Sequence, residues 1–584
     1  MSNHRIVAAI DFGTHGTGYA WAFASERDRE PRQRGIHFFD EWAGQPSSYI
    51  KNRTALLLGP DGVPVEWGHQ ARRRFHTDSR TGVFEYVDQF KMDLLEDPDS
   101  GVPGTSVARR ADLSSYLVTS YLRLFFEFAV RDIVARSAVT EHEILWCLTV
   151  PAIWRDRERQ IMRQCAEQAG IPGDRLLLAV EPEVAALYCR HDVGLPGTDT
   201  AGDRFMVVDA GGGTVDITAY EVTEHGLIEI GYTSGGGHGS TYLDQDFIGQ
   251  AMVRRLGRGA LDAAYEKDPG SFADLLDSWE RAKLGFDPTV GHALVVSLNN
   301  RLYRNLDTDA REKLARAQNG VDDEIILDSV EAIGLFDRTV EPILDLVDEQ
   351  LTRIGGAGVG RVLLVGGFAQ SRHLQNQLRQ RIGSRSTLVI PSKPAWAVLI
   401  GAVHYALAPS TAIAGRRSRF TYGVATAMPF EDGRDPEQYR TRGYAEDVWC
   451  DNRFDIFVRA GEIIGSGHEV RRTYRPLHDG QTTIDFRIFT AVDAEPRYVS
   501  DSGCGKVGDM TVDATGSLSL PTADRVAEVT ITFGGTEIAV RARDLESDRD
   551  VRVTLDFVTD HSTVPEQVGA LPTSRKMLKR SANG

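Results

Sequence analysis

The chain has 584 residues and a formal net charge of −17 at pH 7, with 41% hydrophobic and 26% charged residues. That length predicts about four compact units, and the acidic balance argues against non-specific nucleic-acid or anionic-membrane binding. Five scattered cysteines without CxxC spacing are neither a disulfide framework nor a zinc site. No apolar run approaches the roughly 18 residues of a membrane helix, and the run before Asp11 is too short for a signal peptide, so a reduced, cytoplasmic protein is expected.

In chain order, IVAAIDFGTHGTGYAWAF (6–23) reads as strand, aspartate, glycine-rich turn and second strand. Helical spacing over 115–135 is followed by a strand at 143–151. A helix at 155–170 closes on Gly170, where a C-terminal cap belongs. LLLAVEPEVAALYCRH (176–191) reads as a short strand, a Glu-Pro turn and a helix. VVDAGGGTVDITAYEV (207–222) then repeats the opening pattern, with Asp209 in the place of Asp11. Helical periods return in FIGQAMVRRLG, in FADLLDSWERAKLGF and at 340–360, and 361–382 reads as strand, glycine turn and helix. The first 409 or so residues are two α/β halves of similar plan. From Phe420 to Phe557 the period falls to two in TTIDFRIFTAV, AEVTITFGG, TEIAVRAR and DVRVTLDFV, with turns at HDGQ and FGGT, which predicts an antiparallel β module. TSRKMLKRSANG reads as a frayed basic tail.

The glycines decide which phosphate chemistry is possible. A Walker loop needs GxxxxGK[ST], and the Gly505-Lys506 pair is followed by Val507. GGAGVG (355–360) follows a helix and precedes a strand, the wrong order for a dinucleotide turn. Gly211, Gly212, Gly213 and Thr214 instead lie between two strands, so they form a hairpin tip whose amide N–H groups can turn toward an anion. Gly13-Thr14-His15-Gly16 is a second such tip. Two tips facing across a cleft would hold β- and γ-phosphates from opposite sides. An aspartate beside each tip, Asp11 and Asp209, would hold a hydrated Mg²⁺. Gly366 and Gly367 offer bare backbone to a base or ribose, and Glu280 and Lys283 share a helix face suited to ribose hydroxyls. Taken singly, a tight hairpin or a solvated Glu–Lys pair explains each feature; the paired tips point to nucleotide.

Asp11-Phe12-Gly13-Thr14, Glu181-Pro182, Asp209 to Thr214 and Leu364-Val365-Gly366-Gly367 occur in the order of the actin-like ATPase superfamily. LTVPAIWRDRERQIMRQCAEQAGI, AVEPEVAAL and ERAK (280–283) resemble the ATPase domain of the heat-shock 70 chaperones. The resemblance covers about residues 5–408; GGGHGSTYLD, PAWAVLIGAV and RRSRFTYGV are similar to an atypical branch. It implies a two-lobed ATPase with a duplicated ribonuclease-H-like fold at 1–408 and a linker at 409–420. It further implies an antiparallel β-sandwich-like, peptide-binding domain at 421–560 and a flexible tail at 561–584, with no helical lid. ATP or ADP and Mg²⁺ are the implied cofactors. By the same resemblance Thr14 and Thr214 contact phosphate, Asp11 and Asp209 hold the Mg²⁺ water shell, and Asp209 or Glu181 orients the attacking water. Pro151 and Pro182 fall where family members couple nucleotide state to lobe movement.

Departures from the family pattern matter as much. The family's catalytic lysine is matched by Arg72 in WGHQARRRF (67–75), and arginine binds phosphate but cannot act as a base. Slow hydrolysis is therefore expected. Leu284 and Gln370 stand where the family's adenine-stacking arginines would be, and the linker carries Arg416, Arg417 and Arg419 in place of an acidic, leucine-rich run. The expected function is a nucleotide-gated, chaperone-like protein whose β module takes an unfolded peptide or protein client by strand addition. The alternatives are a nucleotide sensor or scaffold with little turnover, and a small-molecule kinase of the same superfamily.

Overall fold

The computed structural model describes residues 4–79, 82–95, 107–193, 200–355, 358–443, 447–533, 538–547 and 550–554. The 561–584 tail, most of the FGGT turn and part of the 355–360 glycine run lie outside the described residues.

The first half is organised on a sheet ordered His37–Phe38, Gly16–Phe23, Ile6–Phe12, Ile144–Val150, Leu176–Val180, with Asn52–Arg53 paired to Gly16–Phe23 off that path. Ile6–Phe12 is antiparallel to Gly16–Phe23 and parallel to Ile144–Val150. The second half repeats this: Arg204–Ala210 is antiparallel to Val215–Thr223 and parallel to Arg361–Val365. The central strands read as unbroken apolar runs because helices cover both sheet faces. Ile6, Ala8, Ile10 and Phe12 pack to one side of their sheet, and Val7 and Ala9 pack to the other.

Two helices fill the space between the sheets, Glu181–Tyr188 and Ala397–Leu407, and every residue of both is buried. Ala397–Leu407 is apolar nearly all round and has no solvent face to keep. Glu181–Tyr188 instead buries two acids, each met by a cation, Glu181 by Lys91 and Glu183 by Arg416. Gly401 lets the two helices touch: a Cβ there would overlap the Val184 carbonyl. Elsewhere, helix boundaries moved. The helix read from 340 runs Ser329–Ile354, because the Asp328 side chain accepts the Glu331 N–H and caps an earlier start, with Pro342 carried inside. FIGQAM forms a π-helical turn, Phe247–Met252, before the short helix Val253–Leu256 ends at Gly257 (φ +91°).

The β module has a five-stranded sheet ordered Arg440–Arg442, Val448–Val458, Thr421–Pro429, Thr483–Ala491, Cys504–Asp513. A four-stranded sheet, His468–Tyr474, Ala527–Phe533, Ala539–Asp544, Asp550–Thr554, contributes to the same core. Alternation along Thr483–Ala491 turns Ile484, Phe486 and Ile488 inward, as a half-buried sheet requires. Asp435 is buried beside this sheet, accepting from Arg497 Nη2 and the Tyr498 hydroxyl, each at 2.7 Å.

The residues read as a linker include a strand. Ile413–Arg417 runs parallel to Gly226–Gly236 at the edge of the second-half sheet. Ile463–Gly465, from the β module, then pairs antiparallel on its outer side. One seven-stranded sheet therefore spans both modules.

Candidate functional site

The two glycine tips are closed by the same turn: Gly13 N–H donates to Gly16 O at 3.1 Å, and Gly211 N–H donates to Thr214 O at 2.9 Å. They face each other. A Cβ on Gly213 would overlap the Thr14 hydroxyl, and one on Gly212 would overlap the His15 ring. Only glycine lets the tips approach this closely. Gly366, at φ +91°, lies against the Ala210 carbonyl and the Asp209 carboxylate, which brings the third glycine element to the same place.

Four buried acids gather below the tips: Asp11, Glu181, Asp209 and Asp216. The duplicated hairpin brings two of them together, since Asp209 pairs across the strands with Asp216. Burial raises the Asp209 carboxyl well above its usual range, and Glu181, Asp216 and Asp11 push it further. Burial likewise lifts Glu181 to about 7 against the pull of Lys91, with Asp11 and Asp216 adding to the rise. Asp216 is raised by burial, although it accepts the Ile153 N–H at 2.8 Å.

Two lysines answer these charges, and sequence reasoning missed both. Lys51 Nζ lies 2.5 Å from Asp11 Oδ2. Burial opposes its charge, but Asp11 outweighs this and raises its pKa overall. Lys91 Nζ lies 2.8 Å from Glu181 Oε1, with the Phe12 and Trp154 rings 5.7 and 5.4 Å away. Lys91 follows the strand Glu85–Asp88, in a segment without helical or strand period, and its acid is ninety positions further on. No local signal marks such a pair.

Arg72 goes elsewhere. It donates to the Ala273 carbonyl and lies 3.2 Å from Asp277, both on the helix Pro269–Gly285. Arg53 meets the same Asp277 at 2.6 Å, His76 meets Asp274 at 2.6 Å and Arg301 donates to the His76 carbonyl at 2.7 Å. These contacts link the first-half helix Gly68–Asp78 and its neighbours to the second half across the top of the cleft.

The expected ribose pair is also more enclosed than its spacing suggested. Lys283 is 2% exposed, 2.8 Å from Asp244 and 2.5 Å from Glu280. Asp244 also accepts Trp279 Nε1 at 2.7 Å. Glu280 keeps a solvent face, and Leu284 and Gln370 are exposed. Gly367 is exposed beside Gln370.

Among the described residues, no group of three or more His, Cys, Asp or Glu side chains forms a protein-only metal cage. Mg²⁺ does not require one, because it keeps several waters and takes one or two carboxylates. The raised Asp209, Glu181 and Asp216 carboxyls mark a crowding of acids that a divalent cation bound there would relieve.

Two duplicated sheets, each ending in a glycine hairpin and an aspartate, and facing one another across a cleft, define an actin-like ATPase fold followed by a β domain. Residues 133–407 match the family described as Hsp70 protein, and the chain resembles the heat-shock 70 family over most of its length. It is 29% identical to human heat shock 70 kDa protein 12B, covering 96% of this chain and 92% of that protein. It is 28% identical to human heat shock 70 kDa protein 12A, covering 95% and 91%. Heat shock protein hsp-6 of Caenorhabditis elegans is 28% identical over 44% of this chain and 35% of its own length. The similarity to the 12A and 12B proteins extends over nearly the whole chain, whereas that to hsp-6 covers less than half of it. Nucleotide binding is the general function that the resemblance supports.

Proposed function

We propose that this chain binds Mg²⁺-ATP between its two halves, hydrolyses it slowly, and transmits the nucleotide state to its β module. The observation that carries this reading is the pair of facing glycine tips with two lysine–carboxylate pairs beneath them, Lys51–Asp11 and Lys91–Glu181. Backbone N–H groups at the tips, with the Thr14 and Thr214 hydroxyls, are suited to hold the phosphate oxygens. Asp11 and Asp209 would hold Mg²⁺ through water, and the ion would supply charge neutralisation at the β- and γ-oxygens. Glu181, poised near neutrality, is the group suited to accept the proton of an attacking water as the Pγ–O bond to ADP breaks.

Lys91 is in a position to serve as the cation near the γ-phosphate, while Arg72 fastens the cleft to the helix Pro269–Gly285. Positioned charge of this kind supplies most of the catalysis in phosphoryl transfer. The test is single-turnover hydrolysis of γ-labelled ATP with Mg²⁺ by wild type, Asp209→Asn, Lys91→Ala and Arg72→Lys. Hydrolysis lost in Asp209→Asn and strongly slowed in Lys91→Ala but kept in Arg72→Lys supports the reading. Hydrolysis gained in Arg72→Lys returns the catalytic role to position 72.

A second reading, a nucleotide sensor with little turnover, is favoured by the shared sheet that joins the two modules. It predicts tight ATP binding, negligible hydrolysis and a nucleotide-dependent change in protease cleavage at 406–420. Client capture by the β module, and cytoplasmic location, remain part of this proposal; binding of an unfolded peptide that differs between the ATP and ADP states is the measurement for the first.

A further inference from the structure

A cavity of about 100 Å³ lies where the ATPase half meets the β module. Its wall carries Arg155, Arg159, Arg416, Arg417 and Arg419, against the acids Asp156, Glu183 and Glu229. In a chain of net charge −17, this is a concentration of the opposite sign.

The acids are already engaged. Glu183 is gripped by Arg416 through Nε–Oε1 at 2.6 Å and Nη2–Oε2 at 2.7 Å. Glu229 accepts the Thr233 hydroxyl at 2.6 Å and the Arg417 N–H at 3.1 Å. Asp156 accepts the Tyr422 hydroxyl at 2.7 Å. The cations are less well matched. Arg417 donates to the Gly461 carbonyl at 2.5 Å, and Arg419 donates to the Ala152 carbonyl. Among the described residues, neither has a carboxylate partner at ion-pair distance, nor does Arg155. Burial and the neighbouring Arg159 depress the Arg419 guanidinium, outweighing the opposite pull of Glu229, Asp156 and Asp216.

We propose that this interdomain cavity binds a phosphate-class oxyanion, held by Arg419 and Arg417 with Arg155 at the rim. A planar guanidinium fork matches such an anion in geometry as well as charge. The volume suits a single phosphoryl group rather than a nucleotide. Arg417 comes from the linker strand and Arg155 from the start of the helix Asp156–Gln168, while Tyr422 of the β module closes the wall. An anion there fastens the two modules together.

The test is calorimetric titration of the full chain with inorganic phosphate at constant ionic strength, with Mg²⁺-ATP in saturating excess so that the nucleotide cleft is already occupied. Wild type is expected to bind one equivalent. Arg419→Gln and Arg155→Gln are each expected to weaken binding by about tenfold, as the loss of a charge-assisted contact does. Arg155→Gln removes a rim side chain, so it keeps the test decisive if Arg419→Gln fails to fold. Thr14→Ala/Thr214→Ala, in the nucleotide cleft, is expected to leave the phosphate isotherm unchanged while weakening ATP binding. Phosphate binding with no ATP binding would sink the nucleotide reading and leave this inference standing. Phosphoserine in place of phosphate separates the sources: tighter binding assigns the site to a phosphorylated partner, and weaker binding to the free ion. No phosphate binding in wild type, or unchanged isotherms in both arginine variants, overturns the proposal.

Discussion

Arg416 in the linker strand closes a two-pronged ion pair on Glu183 of a helix that lies between the lobes, with side chains only 14% and 6% exposed. Removing one partner of such a pair leaves the other charge buried without compensation. Arg416→Ala is expected to destabilise the fold by about 3–5 kcal/mol, read from urea unfolding. Arg416→Ala/Glu183→Leu should recover much of that loss, because the stranded charge is gone. A double variant no more stable than the single one would show that the pair's worth lies in geometry rather than in charge compensation.

Gly401 predicts a contact too close to alter. Any side chain at this position collides with the Val184 carbonyl, and neither buried helix has room to retreat. Gly401→Ala is expected to cost about 1–3 kcal/mol. A melting temperature equal to that of wild type would mean that the two helices are free to separate.

The Lys91–Glu181 pair makes a pH prediction. With the Glu181 carboxyl near 7, a reaction that needs it ionised should speed up as pH rises from 6 to 8. Lys91→Met removes the cation that holds this value down, so the rising limb should move to higher pH while ATP binding weakens. Single-turnover rates across that range give the answer, and an unmoved limb would rule Glu181 out as the group being read.

Asp277 is shared by Arg53 and Arg72 across the cleft mouth. Partly exposed pairs are worth little individually, about 0.2–1 kcal/mol. Asp277→Asn is therefore expected to hasten release of a fluorescent nucleotide by about 2- to 30-fold from the two pairs together. A release rate unchanged in Asp277→Asn would show that opening is limited elsewhere.

Asp435 makes an acid-stability prediction for the β module. Burial alone would raise its carboxyl, but the Glu431 N–H, the Tyr498 hydroxyl and Arg497 outweigh this and hold it well below the usual carboxylate range. A depressed folded-state pKa stabilises the fold above the unfolded value of about 4, and this stabilisation is lost as pH falls. The gap in melting temperature between wild type and Asp435→Asn should therefore be wide at pH 7 and narrow progressively toward pH 3. A gap that widens on acidification would reverse the sign.

Much of the cleft was legible because its signals are local. Asp11, Asp209 and the glycine tips belong to hairpins whose strands, turn and aspartate lie within about twenty residues, so periodicity and glycine chemistry suffice. Lys51 precedes the two-residue strand Asn52–Arg53, whose pairing with Gly16 and Thr17 carries it to Asp11, and Lys91 comes from an irregular segment, so neither has a local signal. Arg72 illustrates the opposite case: resemblance to a family phrase singled out the residue, but the direction of its long side chain is set by Asp277, about two hundred positions further on. The linker was unreadable as a strand because its hydrogen-bonding partners come from Gly226–Gly236 and Ile463–Gly465, far away on both sides.

That continuous sheet has a mechanical consequence. An unpaired sheet edge invites foreign strands, and here the protein's own connecting segment and the strand beyond it seal the edge. Peeling the β module away would break that ladder and expose the edge to whatever extended chain lies nearby. Separation of the modules is thus itself an act of unmasking, and the same backbone groups that keep the molecule closed would become its most adhesive surface once open.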